Sequence, residues 1–130
     1  MEVLNNNYQR YKLENGLIVS LQNTPTQTVA AELDINYGEV HEKKGEEGIA
    51  HFLEHVLYSG GTEKYPPEKV IEIFEGFGKS NATTSVNKTF FQGDMLEEDL
   101  ELYLELISSI VFTPKFDKEK IMGTLGLLEN

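Results

Sequence analysis

The segment IAHFLEHVLYSGG, residues 49–61, carries the clearest structural pattern in the chain. Its apolar residues recur at i, i+3, i+4, i+7 and i+8, which is typical of one face of an amphipathic helix ending at the glycine pair. At about 100° per residue, His51 and His55 lie about 40° apart, with Glu54 about 60° to one side of His51. We expect these three side chains to share an outward face. The opposite face, expected to pack on the core, comprises Ile49, Phe52, Leu53, Val56 and Leu57.

The two histidines are spaced for metal binding, because imidazoles at i and i+4 of a rigid helix converge without a loop having to be ordered. Zinc needs a third protein ligand and an open position for water. The chain has no cysteine, and His41 falls in a predicted loop, so a carboxylate is expected as the third ligand. Glu54, on the same face as the two histidines, is better suited to act as a general base. It could take a proton from a zinc-bound water as that water attacks a carbonyl group. The alternative is a solvated helix face that holds two histidines by chance, although His-x-x-Glu-His arises by chance in about one such chain in a hundred.

The flanking sequence alternates between hairpin and helix signals. The Asn15-Gly16 and Asn87 turns each join two predicted strands, and a period-two pattern begins at Thr28. Because strands come as hairpins rather than as βαβ units, we predict an α+β fold with an antiparallel or mixed sheet packed against helices. The predicted strands are 8–13, 17–22, 28–37, 81–86 and 88–92; the predicted helices are 49–59, 68–77, 96–113 and 118–128, the last capped by Asp117.

Length and charge limit the classes of function. The 130 residues can bury a single-domain core. Eleven basic and 22 acidic residues give a net charge of −11, which argues against nucleic acid and anionic membranes as partners. The N-terminus lacks the basic and apolar regions of a signal peptide, and no apolar run has the length of a membrane span, so a cytoplasmic location is expected.

Three blocks of sequence carry a family resemblance. Residues 48–57, 61–66 and 81–91 resemble, in order and spacing, the N-terminal region of the pitrilysin, insulin-degrading enzyme and mitochondrial processing peptidase family. The resemblance implies a metallopeptidase of the endopeptidase or oligopeptidase type, with one zinc ion, acting on peptides or unfolded proteins. It also implies that residues 1–130 form the N-terminal portion of a metallopeptidase domain, and that a homologous domain or subunit closes the active-site chamber.

The same resemblance assigns further residues. It implies Glu129 as the third zinc ligand, and Asn81, Ala82 and Thr83 as an edge strand that binds extended substrate through its backbone. The alternatives are a frayed terminal glutamate and an ordinary threonine-rich strand. The sequence departs from the family at Met122, where many relatives carry an acidic residue, and glycines weaken the helix before Glu129. A non-catalytic or truncated subunit that binds a partner module is the alternative function.

Overall fold

The computed structural model describes residues 2–5 and 7–128, and the predicted α+β class is confirmed. None of the described helices is long and apolar enough to cross a membrane. Short 3₁₀ turns at Glu39–His41 and Glu97–Asp99 connect larger elements. The strands are β1 (Glu2–Asn5), β2 (Tyr8–Lys12), β3 (Ile18–Gln22), β4 (Thr28–Ile35), β5 (Lys79–Thr84) and β6 (Thr89–Leu96); the helices are α1 (Ile49–Ser59), α2 (Pro67–Gly76), α3 (Leu100–Phe112) and α4 (Lys118–Leu128).

The strands form two antiparallel sheets. The first is a meander in the order β1-β2-β3, and the second has the order β4-β6-β5. In the second sheet, β6 pairs with β4 on one side and with β5 on the other, so β5 lies at an edge. The turn between β5 and β6 is closed by the Ser85 N–H, which donates to the Lys88 carbonyl at 2.8 Å. This hairpin sets the position of β5 beside α1.

Most of the predicted elements are confirmed, although several bounds differ: β5 is Lys79–Thr84 where 81–86 was predicted, and β4 ends at Ile35. Strand β1 was not predicted from the sequence. The helix predicted from residue 96 begins later, because Met95 and Leu96 continue β6, opposite Val29 and Thr28 of β4. Met95 is buried, so pairing and packing outweigh the local helical pattern there. The predicted Asp117 cap is confirmed, since its Oδ1 accepts the Lys120 N–H at 3.0 Å.

The core lies between the second sheet and the helices. Tyr103 of α3 is fully buried, and burial raises the pKa of its phenol. Its ring packs edge-on against Phe77, with the centroids 5.4 Å apart, and lies directly over Gly93 of β6. The apolar side chains of Phe91, Leu106, Ile110 and Val70 are also fully buried. This packing anchors the sheet whose edge strand faces α1.

We predict opposite effects from alanine at two glycines. A Cβ at Gly93 would lie 2.6 Å from Cε2 of the buried Tyr103 ring, so Gly93→Ala should lower the free energy of unfolding by about 1–3 kcal/mol. The matched control is Gly123→Ala in α4, where a Cβ meets no described atom within 4 Å beyond its chain neighbours and its own helix backbone. Alanine there should stabilise the helix by about 0.5–1 kcal/mol. Urea unfolding of both variants tests the packing, and equal stability of Gly93→Ala and the parent would contradict it.

Candidate active site

The N-terminus of helix α1 is capped by a side chain from the preceding loop. Its N-cap residue, Gly48, has a left-handed φ of 88° and no side chain to cap the helix. Glu42 supplies the missing acceptors: its Oε2 accepts the Gly48 N–H at 2.8 Å and its Oε1 accepts the Ala50 N–H at 2.9 Å. A carboxylate at this end of a helix also interacts favourably with the helix dipole. The first turn, which carries His51, is therefore held from outside the helix.

The two histidines on α1 meet as their spacing predicts. Nε2 of His51 and Nε2 of His55 lie 3.0 Å apart, with the ring centroids separated by 4.7 Å. Two nitrogen ligands of one tetrahedral zinc, each about 2.0–2.1 Å from the metal, lie about 3.3 Å apart. The pair thus fits two adjacent ligands of one such ion. His51 is exposed and His55 half-buried, so both rings can be reached from solvent.

Glu54 lines the same groove as the two histidines, but the expectation that its side chain is exposed was wrong. Its side chain is buried, with 8% of its surface exposed, and one carboxylate oxygen accepts a hydrogen bond from Thr84 Oγ1 at 2.8 Å. The reason is that α1 packs against β5 as well as against the core. The predicted apolar face is correspondingly narrower, because Ile49 and Leu53 are exposed at 42% and 39%.

A groove of about 540 Å³ runs between α1 and the edge strand β5. The structure places the two histidines and Glu54 along one wall and the predicted substrate strand along the other. Among the described residues that line it there is no lysine or arginine, and the carboxylates are those of Glu54 and Glu39. The lining residues are Glu39, His51, Glu54, His55, Tyr58, Asn81, Ala82, Thr83 and Thr84. The predicted base, the histidine pair and the predicted substrate strand therefore share one groove.

The third ligand remains a prediction. Glu129 lies outside the described residues, and within residues 2–5 and 7–128 no group of three or more histidine, cysteine, aspartate and glutamate side chains is arranged to hold a metal. Helix α4, which precedes Glu129, packs against α1, and its Thr124 is buried. The chain leading to Glu129 is thus anchored to the helix that carries both histidines.

Three residues in or near the site make contacts that the sequence did not reveal. Thr84 donates a hydrogen bond to Glu54, which lies 30 residues earlier in the chain, and Glu42 accepts the N–H of Ala50, 8 residues later. No local sequence pattern indicates either contact. His41, expected to be a passive loop residue, accepts the Gly38 N–H at its Nδ1 and stacks on Tyr37. It caps the 3₁₀ turn and does not line the groove.

Comparison with known proteins identifies the family. The family described as Insulinase (Peptidase family M16) matches residues 17–129. The chain belongs to this family. An insulin-degrading enzyme homolog of Dictyostelium discoideum is 36% identical over 129 residues, covering 97% of this chain and 13% of that protein. Human insulin-degrading enzyme is 36% identical over 114 residues, covering 85% and 11%. An uncharacterized zinc protease of Rickettsia bellii is 37% identical over 117 residues, covering 88% and 28%.

Solved structures agree with this assignment to the insulinase family. The periplasmic protease PqqL from Escherichia coli matches with a TM-score of 0.86 at 29% identity, over 96% of this chain and 15% of that one. A protease from Helicobacter pylori matches with a TM-score of 0.87 at 25% identity, over 93% and 29%. The predicted resemblance to the N-terminal region of the family is confirmed. The chain spans less than a third of the length of each of these relatives.

The cap on α1 yields a testable prediction. Glu42→Ala should lower the free energy of unfolding by about 1 kcal/mol, because two N–H groups lose their acceptor. Hydrogen exchange at the Gly48 and Ala50 amides should accelerate together with this loss. Glu46→Ala is the matched control: it removes the same charge from the same loop, but its carboxylate accepts the Lys43 N–H and not an α1 amide. Equal destabilisation by both variants would contradict the cap.

Proposed function

We propose that this chain supplies the zinc site and the general base of a peptidase of the insulinase family. The observation that carries the proposal is the convergence of the His51 and His55 nitrogens beside the Glu54 carboxylate in one groove. Relatives named zinc proteases support the choice of metal. In this proposal Glu129, which follows α4 in the chain, is the third ligand.

Each side chain has a distinct task in the proposed hydrolysis. His51 and His55 would hold the ion through Nε2. Zinc at such a site acts as a Lewis acid, lowering the pKa of a coordinated water and polarising a carbonyl oxygen. Glu54 would accept a proton from the attacking water and then donate it to the amide nitrogen as the C–N bond breaks. Because the Glu54 carboxylate is buried beside the groove, its orientation is set before substrate arrives.

The edge strand provides the proposed site for the peptide. β5 is paired with β6 along one side, which leaves the backbone groups of its other side available to an added strand. Asn81, Ala82 and Thr83 line the groove opposite the histidines. Pairing through the backbone would bind a peptide or unfolded protein with little dependence on its sequence, since every residue offers the same main-chain groups.

Hydrolysis in this proposal requires more polypeptide than the chain itself. The relatives are several times longer, and the groove is partly open in the described part of the chain. A homologous domain or subunit would cover the groove and exclude water, which strengthens the electrostatic interactions inside it. A chain that binds zinc and its companion half but never hydrolyses peptides would instead be the non-catalytic subunit considered above.

Substitutions at two histidines and at Glu54 separate metal binding from catalysis. Glu54→Gln should keep one zinc per chain and lower kcat by at least about 10²-fold with the companion half present, because the proton acceptor is lost. His51→Ala should lose the zinc, whereas the control His41→Ala should retain it, since His41 lies outside the groove. Elemental analysis and a peptide-cleavage assay with and without chelator provide the measurements. Zinc retained by His51→Ala, or turnover retained by Glu54→Gln, would contradict the assignments.

Backbone recognition predicts a periodic effect of N-methylation on substrates. In a series of otherwise identical peptides, each methylated at one backbone amide, KM should rise about tenfold at alternate positions. Between these positions the N–H points away from β5, and methylation should have little effect. Side-chain changes at the same positions serve as the control and should alter KM less. A series without alternation would contradict strand addition.

A further inference from the structure

Glu54 is a buried carboxylate whose side-chain partner comes from another part of the fold. Thr84 Oγ1 donates to Glu54 Oε2 at 2.8 Å, and the two residues are 30 positions apart in the chain. Among the described residues, Thr84 is the side chain that donates to this carboxylate. A buried carboxylate without a donor is costly and is free to turn elsewhere. The hydrogen bond therefore decides where the carboxylate points.

The position of Thr84 is itself well defined by the sheet. Its backbone pairs with Thr89 of β6, at the end of the β5–β6 hairpin. Successive side chains of a strand alternate between its faces, so the Thr84 side chain lies on the face towards α1 while that of Thr83 points away from it. Threonine is branched at Cβ and has restricted rotamers, which holds the hydroxyl in place. The donor is thus presented by a rigid element.

We infer that Thr84 is a positioning residue that holds the Glu54 carboxylate in its catalytic orientation and couples it to the substrate strand. This inference rests on the proposed function, since it assigns Glu54 the role of base. The residues proposed to pair with the peptide, Asn81 to Thr83, immediately precede Thr84 in β5. β5 would therefore both position the scissile bond of the peptide and orient the Glu54 carboxylate that acts as the base.

The test compares substitutions at Thr84 in the zinc-loaded protein with its companion half. Thr84→Val preserves shape but removes the hydroxyl, and should lower kcat about 10- to 100-fold while changing KM less than about threefold. Zinc content should stay at one ion per chain, because neither histidine is touched. Thr84→Ser keeps a hydroxyl and should restore kcat to within about threefold of the parent.

Thr89→Val is the matched control. Thr89 is buried directly across the hairpin from Thr84, and its hydroxyl donates to the Tyr37 carbonyl at 2.9 Å instead of to Glu54. This variant loses a buried hydrogen bond of the same kind, so it should lower the urea midpoint while leaving kcat unchanged. The control separates loss of stability from loss of orientation.

A second measurement does not depend on activity. In the zinc-free protein, Thr84→Val should lower the urea midpoint in the parent but much less in a Glu54→Ala background, because no buried carboxylate is then left without its donor. The inference would be overturned if the effects of Thr84→Val and Glu54→Ala on the urea midpoint were additive. It would also be overturned if Thr84→Val kept full kcat, or if Thr84→Ser did not restore kcat. If Glu54→Gln remains active, the proposed function fails. If Glu54→Gln is inactive while Thr84→Val keeps full kcat, only the role of Thr84 fails.

Discussion

The packing of α1 between the core and the edge strand β5 is the constraint on which the candidate site depends. Val56 and Leu57 are buried on one side of the helix. On another side, the hydrogen bond between Glu54 and Thr84 joins the helix to β5. Because both sides of the helix are in contact, its rotation would expose apolar surface or leave the buried Glu54 carboxylate without its hydrogen-bond donor. The remaining exposed face carries His51, and the groove beside it follows from this arrangement.

Burying Glu54 has an energetic cost that the surrounding structure offsets. A carboxylate taken out of water is tolerated when a donor satisfies it, and removal of that donor typically costs about 1–3 kcal/mol. Glu42 adds support at the start of the same helix by accepting two backbone N–H groups. The helix that carries the histidine pair is therefore stabilised at its first turn and along its buried side. Such support keeps the geometry of a metal or catalytic site fixed.

Local patterns in the sequence predicted much of this architecture. The i, i+4 spacing of His51 and His55 was sufficient to predict that their rings meet, because both lie on one continuous helix. The exposure expected for Glu54 was wrong, since angles around a helix do not reveal a strand that approaches from 30 residues downstream. The extension of β6 to Leu96 was missed for the same reason: the partner β4 lies more than 60 residues earlier in the chain. Prediction succeeded where neighbours in sequence are neighbours in space.

The proposed zinc site is tested most directly by anomalous diffraction at the zinc edge from crystals of the protein grown at neutral pH with one equivalent of zinc. One strong peak is expected about 2.0–2.1 Å from the Nε2 atoms of both His51 and His55. A Glu129 oxygen is expected among the remaining ligands, with the Glu54 carboxylate outside the coordination sphere. No peak between the two histidines, or direct coordination of the metal by Glu54, would contradict the proposed site.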